Sequence, residues 1–205
     1  MKRSLWLILF VLLCATSCIK ITTTRYENIN PSEKKQLRSY KLKEANINTM
    51  DFLSQRDKTP QIYRLDSLQL TKIVATTSKK QILLVAYSCW CAASTDIFDS
   101  IVNSIDTNNT ALCLISTDNY SFKRETEQFL LSHNYFHPTF MLDLKLYGSG
   151  INFNTKFLNF AKQMFPNIDL KTGLNSCFLL DPSMEVMYGG SIDEFLGMRA
   201  AIKNH

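Results

Sequence analysis

Histidine is nearly missing: His133, His137 and His205 are the only three in 205 residues, and none shares with a cysteine or acid the spacing that a zinc site needs. Cysteine is also sparse, with six scattered residues that are too few for a small disulfide scaffold. No internal repeat is visible, which removes solenoid and array architectures. Charge of one sign is in small excess, 23 basic against 18 acidic residues, and this balance gives no pointer to nucleic acid. The longest apolar run, Leu5 to Leu13, is too short for a comfortable membrane span.

What is present begins with MKRSLWLILFVLLCATSC, a basic start at Lys2-Arg3, an apolar segment and small residues ending at Cys18. This is the layout of a secretory signal. Ala15-Thr16-Ser17-Cys18 resembles the bacterial lipoprotein processing site, which implies cleavage after residue 17 and lipid on Cys18. Cys14 suits that role less well, because bulky Leu12 and Leu13 precede it. The expected location is the cell envelope, with the chain lipid-anchored in a membrane through Cys18 and facing the periplasm or the cell exterior. Loss of Lys2 and Arg3 leaves 21 basic and 18 acidic residues, or +3. The remaining 188 residues, in a chain that is 45% hydrophobic and 20% charged overall, suffice for one domain with a sizeable core. Residues 18–59 read as a tether and N-terminal extension, threonine-rich from Ile19 to Asn30, with a lysine-rich weak helix over Pro31 to Glu44. The domain proper is expected over 60–205.

Within it, Gln61 to Leu65 reads as a strand, and Asp66 caps a helix over Ser67 to Thr76. Ile82 to Ala86, ILLVA, suits a central strand covered on both faces. Ile97, Ile101 and Ile105 recur at helical spacing, and Ala111 to Ser116, ALCLIS, makes a second buried strand. A helix from Phe122 to His133, capped by Ser121, precedes a strand Thr139 to Leu142 ending at Asp143. A helical stretch Asn154 to Phe165 follows, with Phe157, Leu158, Ala161 and Met164 on one side. Ser176 to Leu180 turns at Asp181-Pro182-Ser183 into Glu185 to Tyr188 as a hairpin, and Ser191 starts a terminal helix through Ile202. Strands alternating with helices argue for an α/β sandwich.

Between ILLVA and its helix lies Tyr87-Ser88-Cys89-Trp90-Cys91-Ala92-Ala93-Ser94. A cysteine between a buried strand and a helix start sits near unpaired amides and the positive end of the helix dipole, which favour thiolate over thiol. Ser94, one turn on, can donate a hydrogen bond to that thiolate but cannot form a second covalent bond.

The order of elements over residues 60 to 204 resembles the thioredoxin fold, and more narrowly the membrane-anchored periplasmic thiol-disulfide oxidoreductases. The resemblance implies an α/β, thioredoxin-like sandwich with a central mixed sheet flanked by helices, and an insertion near residues 148–172. In that family a Trp-Cys-x-x-Cys motif follows the first core strand. Here Trp90-Cys91-Ala92-Ala93-Ser94 holds its place, so Cys91 matches the attacking cysteine and Ser94 the resolving one. The loop that carries the family's cis-proline falls on Gly173 to Cys177, with Asn175 at the proline position and Ser176 beside it. Trp90, Asn175 and Ser176 are thereby implied as substrate-loop residues.

A lone Cys91 attacks but does not resolve itself, so a second thiol is needed for turnover. Two candidates stay open: Cys89, through a small strained ring, and Cys177, two residues beyond the proline position. Cys113 reads as a buried small hydrophobe. Copper-delivering relatives use a wider cysteine pair with a distant histidine, and thiol peroxidases a proline and threonine upstream of the cysteine, so neither pattern matches. No metal or cofactor is implied. The expected partners are protein or peptide thiols and disulfides, and the expected activity is thiol-disulfide exchange of reductase or isomerase type. The alternative is a degenerate module that binds protein or peptide without redox turnover.

Overall fold

A computed structural model describes residues 42–47, 51–148, 153–167 and 176–203, all within one compact unit, Lys41–His205. Cys18, Asn175, most of the tether and much of the insertion lie outside the described residues. The strands are β1 (Lys43–Glu44), β2 (Ile62–Leu65), β3 (Gln81–Tyr87), β4 (Thr110–Ser116), β5 (Thr139–Leu142), β6 (Ser176–Leu180) and β7 (Val186–Ser191). The α-helices are α1 (Ser67–Thr76), α2 (Ala92–Ser104), α3 (Lys123–Ser132), α4 (Leu144–Tyr147), α5 (Phe153–Met164) and α6 (Ile192–Lys203).

The strands form one mixed sheet in the order β1-β2-β5-β4-β3-β6-β7. Strand β3 pairs in parallel with β4 over its whole length, Gln81 with Thr110 through Tyr87 with Ser116. On its other side it pairs antiparallel with β6. A strand flanked on both edges and covered on both faces needs an unbroken apolar run, which ILLVA supplies. Alternation along the strands divides the core. Ile82, Leu84 and Ala86 face one side with Cys113, Phe140 and Phe178, under Leu70, Ile73 and Val74 of α1 and Phe157, Phe160 and Ala161 of α5. Leu83, Val85 and Tyr87 face the other with Met141 and Cys177, under Phe98 and Ile101 of α2, Leu130 of α3 and Phe195 of α6. This is the expected α/β sandwich with a central mixed sheet.

Local signals explain most element ends. Asp66 accepts from the Gln69 amide at 2.8 Å while the Gln69 side chain accepts from the Asp66 amide at 3.1 Å, so both ends of a capping box are made. Two local expectations are corrected, and one element is new. Lys43 and Glu44 lie in an edge strand paired with Tyr63 and Arg64, not in a helix, because pairing to β2 satisfies their backbone and Glu44 meets Arg64. Ser121 does not cap α3: a 3-10 turn over Tyr120–Phe122 intervenes, and the buried Ser121 hydroxyl has no hydrogen-bond partner among the described residues. The segment after Asp143 forms α4, started by the Asp143 carboxylate accepting from the Lys145 amide at 2.8 Å.

Candidate functional site

Parallel strands β3 and β4 end level with each other, so the loops beyond Tyr87 and Ser116 meet at the carboxyl end of these two interior strands. The first of these carries Cys89, Trp90 and Cys91. The Cys91 amide donates to the Ser88 carbonyl at 3.2 Å, closing a turn with Cys89 and Trp90 at its corner. Cys91 is then the extended residue before α2, and its carbonyl accepts from the Ser94 amide at 2.9 Å and the Thr95 amide at 3.0 Å. The thiol-bearing residue therefore stands at the N-cap of a 13-residue helix, at the positive end of its dipole. Cys91 is partly exposed, whereas Ser94 is buried.

The second loop supplies Asp118, which is 1% exposed and gathers the first around itself. Its carboxylate accepts from the Ser88 hydroxyl at 2.6 Å, the Cys89 amide at 3.1 Å and the Ser116 hydroxyl at 3.0 Å. Burial pushes the Asp118 carboxyl above the usual carboxylate range, and the hydrogen bonds it accepts pull it back toward ionisation. Cys89 is pushed the other way for a nucleophile. Burial and then the neighbouring Asp118 charge raise its thiol far above an ordinary cysteine, although the Thr126 hydroxyl, 3.7 Å from the sulfur, opposes this. Cys89 is thus held as a protonated, hydrogen-bonded thiol.

A further charge comes from α5. Lys156, 2% exposed, donates to the Asn119 side-chain oxygen at 2.6 Å. Burial lowers its ammonium to about 8, while the Asp118 charge works in the opposite direction. Asp118, Asn119 and Lys156 were not legible as site residues. Asp118 and Asn119 sit in a polar stretch, STDNYS, that reads as a connecting loop, and a lysine inside a helix reads as solvent-facing. A polar pair following a buried strand that ends level with the cysteine loop is the signal available.

The remaining expected residues fall as follows. Trp90 is partly exposed and packs edge-on against Phe122 at 5.2 Å. Ser176 is buried and pairs with Ser191 at the start of β6. Cys177, opposite Val85, belongs to the core under α2, and burial pushes its thiol up to about 12. Cys113 is fully buried on the other face, as its place in ALCLIS implies, and burial raises its thiol too. The structure thus brings Cys89, Cys91 and Ser94 onto one loop and helix start, and sets Cys177 in the core beneath.

No protein-family model matches the chain, and no curated protein matches it. Among solved structures it is similar to a thiol-disulfide oxidoreductase from Bacteroides fragilis NCTC 9343, with 17% identity over 60% of this chain and 81% of that one and a TM-score of 0.37. A thioredoxin-like protein from Parabacteroides distasonis ATCC 8503 matches with 13% identity, the same coverage and a TM-score of 0.37. A thioredoxin-like protein from Aeropyrum pernix matches with 14% identity over 64% of this chain and 81% of that one, at a TM-score of 0.38.

Proposed function

We propose that the protein performs thiol-disulfide exchange on protein or peptide substrates, with Cys91 as the attacking thiol. The observation that carries this reading is the contrast among the four thiols. Cys113 and Cys177 are buried in the core; Cys89 and Cys91 are both partly exposed, but Cys89 lies against the Asp118 carboxylate, which with burial pushes its thiol up, while Cys91 stands at a helix N-terminus. Trp90, exposed at 37% beside Cys91, offers a flat apolar surface to an incoming chain. Ser94 supports the thiolate of Cys91 without replacing it. Cys89 is the better-placed resolving thiol, since it shares the turn with Cys91, whereas Cys177 must leave the core to take part.

The test is timed labelling of the native protein with an aromatic disulfide, read by mass mapping. Cys91 is expected to carry the first adduct, and Cys91→Ala to abolish the fast phase. Reaction of all four thiols together, only after unfolding, would end the exchange reading. Ser94, in place of a second motif cysteine, supports a second reading as a binding module without turnover. That reading requires Cys91→Ser to capture the same partners as the unaltered chain.

The same proposal places the domain at a membrane of the cell envelope, held by lipid on Cys18. Intact mass of the processed N-terminus should show a diacylglyceryl cysteine at residue 18, and Cys18→Ser should release the protein from the membrane fraction. An unmodified mature N-terminus elsewhere would refute the anchor.

A further inference from the structure

Thr126 is fully buried near the start of α3, and its one hydroxyl proton has two acceptors. It donates to the Phe122 carbonyl, one turn back, at 2.9 Å, and it also lies 3.7 Å from the Cys89 sulfur, within reach of a hydrogen bond to sulfur. Attack by Cys91 uses neither contact. Phe122 itself packs edge-on against Trp90 at 5.2 Å, so the start of α3 holds two successive residues of the cysteine loop, one by a ring and one by a hydroxyl. Cα atoms two residues apart, as in Cys89 and Cys91, lie within about 7 Å even in a straight chain, and a turn shortens this into the range that a disulfide spans.

We propose that Thr126 is a positioning residue for the resolving step: its hydroxyl turns from the Phe122 carbonyl to the Cys89 sulfur as that sulfur loses its proton, and so supports the thiolate that resolves the mixed disulfide on Cys91. This rests on the exchange reading, with Cys91 forming the first mixed disulfide. In the step itself, the Cys89 S–H proton passes to water and the Cys89 sulfur attacks the Cys91 sulfur. The bond between Cys91 and the substrate breaks, and the substrate leaves as a thiolate with the electron pair. The Cys89–Cys91 dithiol is oxidised to a disulfide, and one substrate disulfide is reduced to two thiols. A protein or small-molecule dithiol returns the pair to its reduced form.

The surroundings of Cys89 call for such a donor. Burial disfavours its anion, and so do the negative charges that face the sulfur, Asp118 beyond β4 and Glu125 of α3, with Tyr87 of β3 as the third titratable neighbour. The Thr126 hydroxyl acts against them, since a bond donated to the charged form favours that form. It acts selectively too: a hydrogen bond to an ionised acceptor is about twice as strong as one to a neutral acceptor, so the thiolate draws the hydroxyl more than the thiol does. Its turn does not strand the Phe122 carbonyl. Phe122 is the N-cap of α3, and the carbonyl of an N-cap residue already accepts the first backbone bond of its helix. Moving the hydroxyl therefore costs α3 little, and the gain falls on the Cys89 anion.

An aromatic disulfide reagent separates the two steps, because Cys91 attack releases one coloured thiolate and resolution by Cys89 releases a second. The full chain should release two in sequence, and Cys89→Ser should release one and keep the adduct. Thr126→Val, which keeps the shape of the side chain and removes the hydroxyl, should release the first at the unaltered rate and the second about tenfold more slowly at neutral pH, the size of one hydrogen bond to a charged group. The pH at which its second release accelerates should rise by about one unit. Thr126→Ala should behave in the same way, and Thr126→Ser, which returns the hydroxyl, should restore both rate and profile. A purely structural role would lower the urea midpoint of these variants and leave the pH profile where it was. Failure of the unaltered chain to form any Cys91 adduct would sink the exchange reading together with this one. A single release from the unaltered chain, an unmoved profile in Thr126→Val and Thr126→Ala, or an equal slowing in Thr126→Ser would overturn the present inference alone.

Discussion

Phe178→Ala is expected to lower the unfolding free energy by about 3–5 kcal/mol, the range for emptying a large aromatic from a packed core. Phe178 is 1% exposed and stacks between Phe157 at 5.9 Å and Phe165 at 5.2 Å, so two rings from α5 and its end lose their support at once. The same ring explains Gly189 on the neighbouring strand. A Cβ there would lie 3.0 Å from two carbons of Phe178, closer than packed atoms allow without displacement. Gly189→Ala alone should therefore destabilise by about 1–3 kcal/mol through overpacking. With Phe178 already shortened, the added methyl meets space, and the double variant should be more stable than the two separate losses add to. Urea unfolding of the four proteins measures this, and additivity within about 0.5 kcal/mol would show that ring and glycine are not coupled.

Alkaline pH should unfold the protein by a mechanism written into its buried thiols. In the folded chain Cys89, Cys113 and Cys177 all hold their protons far beyond the pH at which an unfolded cysteine, near 9.0, releases its own. Above that value the folded state binds more protons than the unfolded one, so stability falls as pH rises, by about 1.4 kcal/mol per unit for each thiol. Lys156 acts in the opposite sense. Its folded form loses a proton near 8 while the unfolded form keeps one to 10.5, so between those values it adds stability as pH rises. Three losses against one gain leave a net fall of about 2.7 kcal/mol per unit from about pH 9 to 10.5. Buried Tyr87 and Tyr135 steepen it further above pH 10. The urea midpoint should hold nearly level up to about pH 8.5 and drop sharply beyond. Cys113→Ala should flatten that drop by about half, whatever it does to stability at neutral pH. A level midpoint through pH 10.5 would mean that the thiols do not report burial in this way.

How much of this was legible in the residues can be judged from particular segments. ILLVA and ALCLIS, short apolar runs bounded by polar residues, do form the central parallel pair, because period and length leave a buried strand no competitor there. Asp66 announced a helix start that the structure contains, with Gln69 completing a capping box that was not read from the sequence. In α5 the stripe is only partly right: Phe157 and Ala161 are core, but Phe160 is more deeply buried than Leu158 or Met164. A helical period read from four residues does not fix the rotation of a helix to better than one neighbour. The Cys91 position is legible because strand, turn and helix follow one another locally. The Asp118 cluster is not, since its bonds to Ser88 and Cys89 span 30 and 29 residues and that of Lys156 to Asn119 spans 37. Such pairs arise from which strands lie side by side, a property of the assembled sheet that no local spacing encodes.

The strand order also sets a timetable. In a chain that emerges from its N-terminus, β2 must wait for β5, since Ile62 to Leu65 pair with Thr139 to Leu142. Strand β3 can dock on β4 much sooner, but its other edge stays open until β6 arrives. Cys89 and Cys91 are therefore made before the carboxylate that organises their loop, and that carboxylate is made before its lysine. During this interval the two thiols are neighbours in an unformed chain, with no buried acid to hold one of them back. The distinction between an attacking cysteine and a withheld one is thus acquired only when β4 docks and brings its carboxylate to a pair of residues that began as equals.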